Sequence, residues 1–276
     1  MNLSAWEIIS RLVLYLWCIF SLFVFLWVIN SSLKTNNAFF SNIWGVFTQP
    51  ETENYSKVWN NYRLGRYFFN SVSVVVPSVL GLLAVSAPAA YVLSRFKFPL
   101  SGSITKLVSF GMGIPYQLLL VPLFFLLFTL NLINSKLGLI LVYIALSVPF
   151  TVFLLMSYFK TLPSTLEESA EIDGCGPIRT FFLIMLPLAR NGLVAAAVLN
   201  FVGLWNEFLL ALTFISKDAT YTLSMGLYAL QGSLQYTGDW VSLFAAFTMV
   251  VIPTFILFIL LSRTIVVGMT MGAVKE

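Results

Sequence analysis

The chain has 276 residues, of which 59% are hydrophobic and only 9% are charged, and its mean hydropathy is +0.92. A soluble domain carries about 25% charged residues, so this composition excludes a soluble protein and indicates an integral membrane protein. The net charge of +4 suits anionic lipid headgroups and gives no reason to expect a nucleic-acid partner. The chain has no histidine, two cysteines and no G-x-x-x-x-G-K-[ST] sequence, so we expect no metal site, no disulfide framework, no cofactor and no ATP hydrolysis by the chain itself.

Six apolar runs follow one another along the chain, and all but one of its charged residues lie outside them. Each run is long enough to cross a bilayer as a helix, which takes about 20 residues, and none alternates like the strands of a membrane barrel. The sequence therefore predicts an all-α, polytopic membrane protein with six transmembrane helices in a single domain of residues 1–276. The predicted spans are 12–29, 67–93, 107–130, 137–159, 191–215 and 241–262.

An even number of spans places both termini on the same side of the membrane. If that side is the cytoplasm, nine of the 15 basic residues lie in the inner segments, which favours cytoplasmic termini because positive charge collects on that side. The first span is interpreted as retained and not as a signal peptide, because its 18 apolar residues exceed the usual apolar core and no clear cleavage site follows Ile29.

Prolines interrupt the second, third and fourth predicted spans. A proline frees backbone carbonyls that only protein or a wet cavity can satisfy within a membrane, so we expect bends here to shape a translocation route. Tyr116 and Gln117, beside one such break, are candidates for hydrogen bonds to a solute; the alternative is that they pack or face lipid. The prolines are Pro77, Pro88, Pro115, Pro122 and Pro149.

Residues 160–190, between the fourth and fifth spans, form a polar segment that cannot lie in hydrocarbon. Four of the 11 acidic residues of the chain stand within seven positions here, with the small residues Ser169 and Ala170 among them. A slim acidic helix suits insertion into a groove of a soluble partner, and the alternative is an ordinary loop that happens to be helical. The four carboxylates are Glu167, Glu168, Glu171 and Asp173.

This polar segment is predicted to hold two short helices. Ser164 and Glu167 have the spacing of a capping box, and Gly174 offers a left-handed C-terminal cap, so a first helix of nine residues is expected between them. Pro177 suits the first turn of a second helix, which Pro187 is expected to interrupt. One apolar stripe is predicted on that helix, made of Ile178, Phe181, Phe182 and Met185.

Glu207 is the only charged residue inside a predicted span. Together with Asn200 and Gly203 it has i, i+3, i+7 spacing, which predicts one polar helical face that points inward. An ionisable residue in a membrane marks a solute path or a pairing between helices; both interpretations stay open here, as does a position near the outer interface. Asn206 joins this candidate path, and Trp205 is a candidate to stack on a ring-shaped solute.

The polar segment also resembles a known family. Glu168-Ser169-Ala170, three residues, Gly174, nine residues and Ile184-Met185-Leu186-Pro187 are similar to the E-A-A-x(3)-G-x(9)-I-x-L-P loop of permease subunits of ATP-binding-cassette (ABC) importers, with serine where the family often has alanine. Further stretches resemble the smaller permease of maltose-type carbohydrate importers. They are FFNSVSV, AAYVLSRFKFP, PYQLLLVPLF, GLILVY, WNEFLLALTFI and the tail GMTMGAVKE.

The resemblance implies the type I ABC importer permease fold in a bacterial inner membrane and a subunit that is not catalytic. Its implied partners are a second, larger permease in a heterodimer, two cytoplasmic ATPase subunits and an extracellular sugar-binding protein, which touches the link from Lys217 to Trp240; the solute is a sugar. The 160–190 loop would couple to the ATPases. The residues that the resemblance and the charge pattern assign to coupling are Glu167, Glu168, Ser169, Ala170, Glu171, Asp173, Gly174, Ile184, Leu186 and Pro187.

Two other classes of function are weighed against this one. A secondary transporter or channel for a small polar solute is the alternative, although more than one intramembrane ionisable group would then be expected. An intramembrane enzyme is disfavoured, because the single carboxylate of Glu207 leaves no acid–base pair within the spans.

Overall fold

The computed structural model describes residues 5–273, and the side chains of residues 6–256 and 259. Every regular element in this described part is helical, which confirms the predicted all-α class. The chain forms two compact units. The first runs to Arg66 and includes Gly226–Pro253; the second consists of Tyr67–Met225 and the residues from Thr254 onward. The side chains of the tail GMTMGAVKE, which carries part of the family resemblance, lie outside the described residues.

The first unit contains a long apolar helix followed by short helices, the first of which begins with a side-chain cap. The Thr35 hydroxyl accepts a hydrogen bond from the backbone N–H of Ala38 at 3.2 Å, which begins the second helix. The Trp27 ring packs on Phe39 and Phe244 at 6.3 and 5.3 Å between centroids. The elements are α1 (Ala5–Ser32), α2 (Asn36–Ser41), α3 (Glu53–Ser56) and a π-helical turn, Lys57–Asn61.

The second unit holds most of the helices. They are α4 (Leu64–Arg95), α5 (Ser101–Met112), a 3₁₀ turn (Tyr116–Leu119), α6 (Leu120–Thr129), α7 (Lys136–Phe159), α8 (Thr165–Ile172), α9 (Pro177–Thr180), a π-helical turn (Phe181–Met185), α10 (Leu186–Leu188), α11 (Arg190–Trp205), α12 (Leu209–Phe214) and a second 3₁₀ turn (Asp218–Thr220). Helix α4 begins within the first unit, and two further helices, α13 (Leu223–Thr237) and α14 (Trp240–Ala273), also have residues in both units. The link from Lys217 to Trp240, expected as a loop, is therefore largely helical.

Three described helices are long and apolar enough to cross a membrane unbroken: Trp6–Ser32, Leu64–Arg95 and Lys136–Phe159. Two bent pairs also qualify together, and Trp240–Ile256 is a shorter apolar helix. The structure therefore supports several spans, while the count of six stays a prediction.

The third predicted span, 107–130, is one of the bent pairs. Ser101–Met112 and Tyr116–Thr129 meet at 95°, because Pro115 cannot donate a backbone hydrogen bond and disfavours helical backbone at the residue before it. Pro77, Pro88 and Pro149, by contrast, lie inside continuous helices.

The core of the second unit lies where α4 and α7 pack against the segment after α9. The predicted apolar stripe of that segment is wrong, since Phe181 and Met185 are buried whereas Ile178 and Phe182 are exposed. The π-helical turn explains this, because its wider i to i+5 spacing changes which side chains face the core. The core cluster consists of Ala87, Ala90, Tyr91, Val152, Leu155, Met156, Phe159, Phe181, Met185, Ala189 and Ala196.

Candidate functional site

The predicted loop helix is present as α8, one residue shorter than expected. Gly174 ends it with φ at 77°, a left-handed conformation that costs glycine little. The N–H of Cys175 donates to the Ala170 carbonyl at 2.8 Å, and the N–H of Gly174 donates to the Glu171 carbonyl at 3.0 Å. These two bonds form a Schellman cap, so the predicted role of Gly174 in ending the helix is confirmed.

The predicted capping box at the start of α8 is wrong. Ser164 has a helical backbone and its side chain makes no cap bond. Glu167 is instead turned toward the end of α4, where its Oε2 lies 3.1 Å from Nε of Arg95. Glu167 is therefore engaged within its own chain.

The remaining residues of α8 divide into an inner and an outer face. Ala170 is only 3% exposed and faces the chain itself. Ser169 is exposed, and its hydroxyl donates to the Thr165 carbonyl at 2.8 Å. Ile172 is 87% exposed. The other exposed members of this face are the carboxylates Glu168, Glu171 and Asp173.

A cavity of about 520 Å³ lies beside α8. The end of α4 contributes Tyr91 and Arg95 to its lining, and the loop contributes Glu167, Glu168 and Glu171. Three carboxylates and one guanidinium thus line the cavity, which makes it acidic.

The second half of the motif lies against the core. Ile184 and Leu186 are half-buried on the core cluster, and Pro187 is exposed. The prediction that Pro187 interrupts the helix is wrong, because proline is tolerated in the first turn of α10, where its missing N–H is not needed. The break follows at Ala189, where Pro177–Leu188 and Arg190–Trp205 meet at 72°.

The fifth predicted span, 191–215, is broken at Glu207. Helix α11 ends at Trp205 and α12 begins at Leu209. The Glu207 carboxylate caps α12, accepting the N–H of Leu210 at 2.6 Å and the N–H of Ala211 at 3.1 Å. Helix starts leave such donors unpaired. The Tyr143 hydroxyl also donates to Glu207, at 2.8 Å.

The helical face predicted from Asn200, Gly203 and Glu207 therefore does not exist, because the helix ends before Glu207. Asn200 is buried and donates to the Thr151 hydroxyl at 3.0 Å and to the Ala196 carbonyl at 2.8 Å. Its amide holds α11 against α7.

Four of the seven predicted pathway residues line one cavity of about 640 Å³: Tyr116, Gly203, Asn206 and Glu207. The other three do not line it. Gln117 is exposed on the neighbouring 3₁₀ turn, Asn200 is bonded as described, and Trp205 is buried. The Trp205 ring stacks on Phe201 at 5.4 Å and meets Phe68 edge-on at 5.6 Å between centroids, so it offers no free face to a solute.

Sequence reasoning missed two polar residues of this cavity, Tyr143 and Ser147. Both lie in α7, inside a long apolar run, where no charge or break singles them out. Their spacing of four residues, which places them on one helical face, is the signal that could have found them.

The first unit holds a polar cavity of about 650 Å³ that the sequence did not predict. Its lining includes Glu51, Asn36 and the ion pair between Lys57 and Asp239. Burial opposes ionisation of Asp239, but hydrogen bonds from Lys57 and Asn36 hold the pKa of this carboxyl below its ordinary value. The hydrogen bond to Asp239 in turn raises the pKa of Lys57.

Comparison with known proteins decides the family. The model of the family described as "Binding-protein-dependent transport system inner membrane component" matches residues 65–270. The chain belongs to this family. It is therefore a permease and a multi-pass protein of the bacterial inner membrane, which confirms the predicted localisation and the family resemblance of the loop motif.

Relatives extend the likeness to nearly the whole permease. It is 38% identical to the diacetylchitobiose uptake system permease protein NgcG of Streptomyces coelicolor over 97% of this chain and 88% of that protein. It is 35% identical to the sulfoquinovosyl glycerol transport system permease protein SmoH of Agrobacterium fabrum, over 90% and 92%. The trehalose transport system permease protein SugB of Mycobacterium tuberculosis is 30% identical, over 98% and 97%.

A solved structure supports the fold of the permease. The chain matches one in a bacterial ABC transporter involved in the import of the acidic polysaccharide alginate, with a TM-score of 0.81 and 18% identity. The match covers 95% of this permease and 99% of that chain. The ABC importer permease fold expected from the sequence is confirmed by this likeness.

Proposed function

We propose that this permease is a subunit of an ATP-driven sugar importer, that it forms half of the translocation pathway, and that an oligosaccharide is its solute. The relatives named for diacetylchitobiose, sulfoquinovosyl glycerol and trehalose uptake support a sugar. The permease would not be catalytic itself; ATP hydrolysis would take place in a pair of cytoplasmic subunits.

The outer face of α8 is the proposed contact with an ATPase subunit. A short helix bounded by a left-handed glycine carries three exposed carboxylates and the exposed side chain of Ile172. A helix of eight residues is marginal in isolation, so α8 depends on its inner face and on whatever covers the outer one. The single observation that carries the proposal is this pairing of an anchored inner face with an exposed acidic outer face, in the segment that bears the family motif.

The motif residues fall into two proposed roles. Glu168, Ser169, Glu171 and Asp173 would meet the ATPase directly, with complementary charge on its side. The others would hold the loop in shape from within: Glu167 through Arg95, Gly174 through the Schellman cap, and Ala170, Ile184, Leu186 and Pro187 through packing and backbone shape.

The cavity beside the α11–α12 break is the proposed part of the sugar path. Tyr116, Ser147 and Asn206 line it, and hydroxyl and amide groups suit hydrogen bonding to sugar hydroxyls. Glu207 would shape this cavity by capping α12, with its two oxygens occupied by backbone N–H groups. Gly203 would leave the wall open, since no atom lies within 4 Å of the position its Cβ would take.

The proposed complex contains a second permease, two ATPase subunits on the cytoplasmic side and a sugar-binding protein on the outer side. Both termini of this permease would be cytoplasmic, together with the 160–190 loop. The lipid bilayer would surround the spans, including α1, whose apolar stretch is exposed along its length.

Two matched glycine variants test the contact with the ATPase. Gly174→Val places a β-branched residue at a φ of 77°, whereas Gly176→Val alters a neighbour with φ at −72°; both positions have open space for a Cβ. We expect Gly174→Val to lose co-purification of the ATPase from membranes in mild detergent, and Gly176→Val to retain it, with equal membrane insertion. Retention by both variants would count against coupling through α8. Recovery of the wild-type permease without an ATPase would favour a secondary transporter or channel.

A further inference from the structure

Arg95 is the last residue of α4, and its guanidinium lies between that helix and the segment that leads into α8. Nη2 donates to the Leu162 carbonyl at 2.6 Å, and Nε lies 3.1 Å from Oε2 of Glu167 in the first turn of α8. The two contacts therefore hold the loop on either side of the start of α8. They are made by one rigid, planar group.

We propose that Arg95 is a positioning residue, which joins α8 to the inner end of α4 so that a displacement of α8 is passed to α4 as a unit. This inference rests on the proposed contact between α8 and an ATPase subunit. It assigns the transmitting role to contacts inside the permease, separate from the exposed face that would touch the ATPase.

Burial of the pair supports this role. The side chains of Arg95 and Glu167 are only 14% and 19% exposed, so their attraction is less screened by water and salt than that of a surface pair. Tyr91, one helical turn before Arg95, is buried in the core cluster and lines the same cavity as Glu167. Glu167 is thus paired with α4 one turn from a residue that is fixed in the core.

The core cluster that holds Tyr91 also includes the end of α7. The Tyr91 ring packs on Phe159 at 5.6 Å and on Phe181 at 5.2 Å between centroids. Phe159 ends α7, and Phe181 begins the π-helical turn after α9. A displacement of Glu167 would therefore be passed to closely packed side chains and not to a flexible segment.

The planar guanidinium of Arg95 bonds to the Leu162 carbonyl through Nη2 and places Nε beside the Glu167 carboxylate. A lysine ammonium is a compact charge on a flexible stem, so it does not hold these two positions in one fixed plane. Glutamine in place of Glu167 keeps the length of the side chain and removes its charge. These differences give a graded series: Arg95→Lys, Glu167→Gln and Arg95→Gln.

The test uses the complete transporter reconstituted in liposomes, with sugar uptake and ATP hydrolysis measured on the same preparation. We expect Arg95→Gln to lower uptake about tenfold or more, with a smaller fall in ATP hydrolysis, so that more ATP is consumed per sugar; Arg95→Lys should be intermediate. The double variant Arg95→Gln/Glu167→Gln should consume no more ATP per sugar than the more impaired single variant, because both changes break the same contact between Arg95 and Glu167.

Lys97→Gln is the matched control. Lys97 lies two residues beyond Arg95, is exposed, and makes no hydrogen bond or ion pair with other described residues. The Lys97→Gln variant loses the same charge and leaves the contact between Arg95 and Glu167 intact. Its ATP consumption per sugar should therefore equal that of wild type. A merely structural role of Arg95 would lower the yield of folded complex but not change this ratio.

The outcomes separate the inference from the proposal on which it rests. An unchanged ratio of ATP consumed to sugar transported in Arg95→Gln, in a complex that still contains the ATPase, would overturn the role of Arg95. The proposed contact at α8 would not be affected. Additive effects in the double variant would also overturn the role of Arg95. Absence of the ATPase from the wild-type complex would overturn the contact at α8 itself.

Discussion

Glu167 and Glu207 are both acidic residues at places where a helix begins or breaks in the second unit, yet they are held in different ways. Glu167 is bound by the side chain of Arg95, which belongs to another helix, α4. Glu207 is bound mainly by backbone N–H groups of the helix that follows it. From the sequence Glu167 was expected to meet an outside partner, and Glu207 either a solute or a neighbouring helix; in the structure both are engaged within the chain.

The difference decides what each carboxylate does. Removal of Glu167 would loosen one element from another and leave each helix intact, whereas removal of Glu207 would leave the start of α12 with unpaired donors. Unpaired backbone groups cost most where water cannot reach them. We therefore expect Glu207 to matter most for stability, and Glu167 to matter most for transmission between elements.

The largest expected effect is that of Glu207→Ala. Two backbone N–H groups of α12 and the Tyr143 hydroxyl lose their acceptor, and each unsatisfied buried group costs about 1–3 kcal/mol, so the free energy of unfolding should fall by several kcal/mol. Thermal unfolding of the purified permease in detergent measures this. Asn206→Ala, at the exposed neighbour, is the control and should unfold like wild type; normal stability of Glu207→Ala with impaired uptake would mean that the carboxylate serves the solute.

A smaller effect separates the two tyrosines near these carboxylates. Tyr143→Phe removes one of the three donors to Glu207 and should lower the free energy of unfolding by about 1.5–3 kcal/mol, the usual range for a hydrogen bond to a charged group. Tyr91→Phe keeps the buried ring and removes only the hydroxyl of a residue that lines the same cavity as Glu167.

The readout of Tyr91→Phe differs accordingly. We expect it to raise ATP consumption per sugar about twofold to threefold, less than Arg95→Gln does, with little change in thermal unfolding. Equal behaviour of the two tyrosine variants in both measurements would show that the contrast between Glu167 and Glu207 is wrong.

The smallest effect is expected at Asp239, a third engaged carboxylate, in the first unit. Asp239→Asn removes the ion pair with Lys57, whose side chain is 40% exposed, so water screening limits the loss to about 1 kcal/mol or less. Thermal unfolding in detergent, compared with Glu53→Gln at an exposed carboxylate of the same cavity, measures it.

The same ion pair predicts a pH dependence. Because the folded pKa of Asp239 is below its ordinary 3.8, its contribution is present above that pH and is lost as the pH falls through the lowered value. Because the pKa of Lys57 is raised above 10.5, its contribution is present below that pH and is lost as the pH rises through the raised value. The difference in unfolding between wild type and Asp239→Asn should be constant between about pH 5 and 9; a difference that vanishes within that window would contradict the pair.

Much of the architecture followed from local sequence. Helix α8 was predicted to within one residue because Gly174 and Pro177 are local signals that need no distant partner. The long apolar runs gave α1, α4 and α7, since their length and hydropathy are properties of the segment alone. The resemblance in the loop motif gave the family.

The errors have a common physical cause. Ser164 lacks its capping bond because its backbone is helical and its carbonyl accepts the Glu167 N–H. The Glu167 side chain, the other half of the box, binds Arg95, 72 positions earlier in the chain. The polar face around Asn200 failed because Glu207 ends up capping a new helix beside Tyr143. An argument from periodicity assumes that a helix continues, and it cannot predict that a side chain bonds to a different element.

The sequence by itself determined the membrane class, the helical segments, the motif of the 160–190 loop and the family. These depend on hydropathy, on local backbone preferences and on residues at fixed spacing along the chain. Only the tertiary structure decided which carboxylates are engaged and which face of α8 is exposed. That choice depends on distances between residues far apart in the chain, because a charged group in a poorly solvated place takes the nearest partner that the packing brings to it.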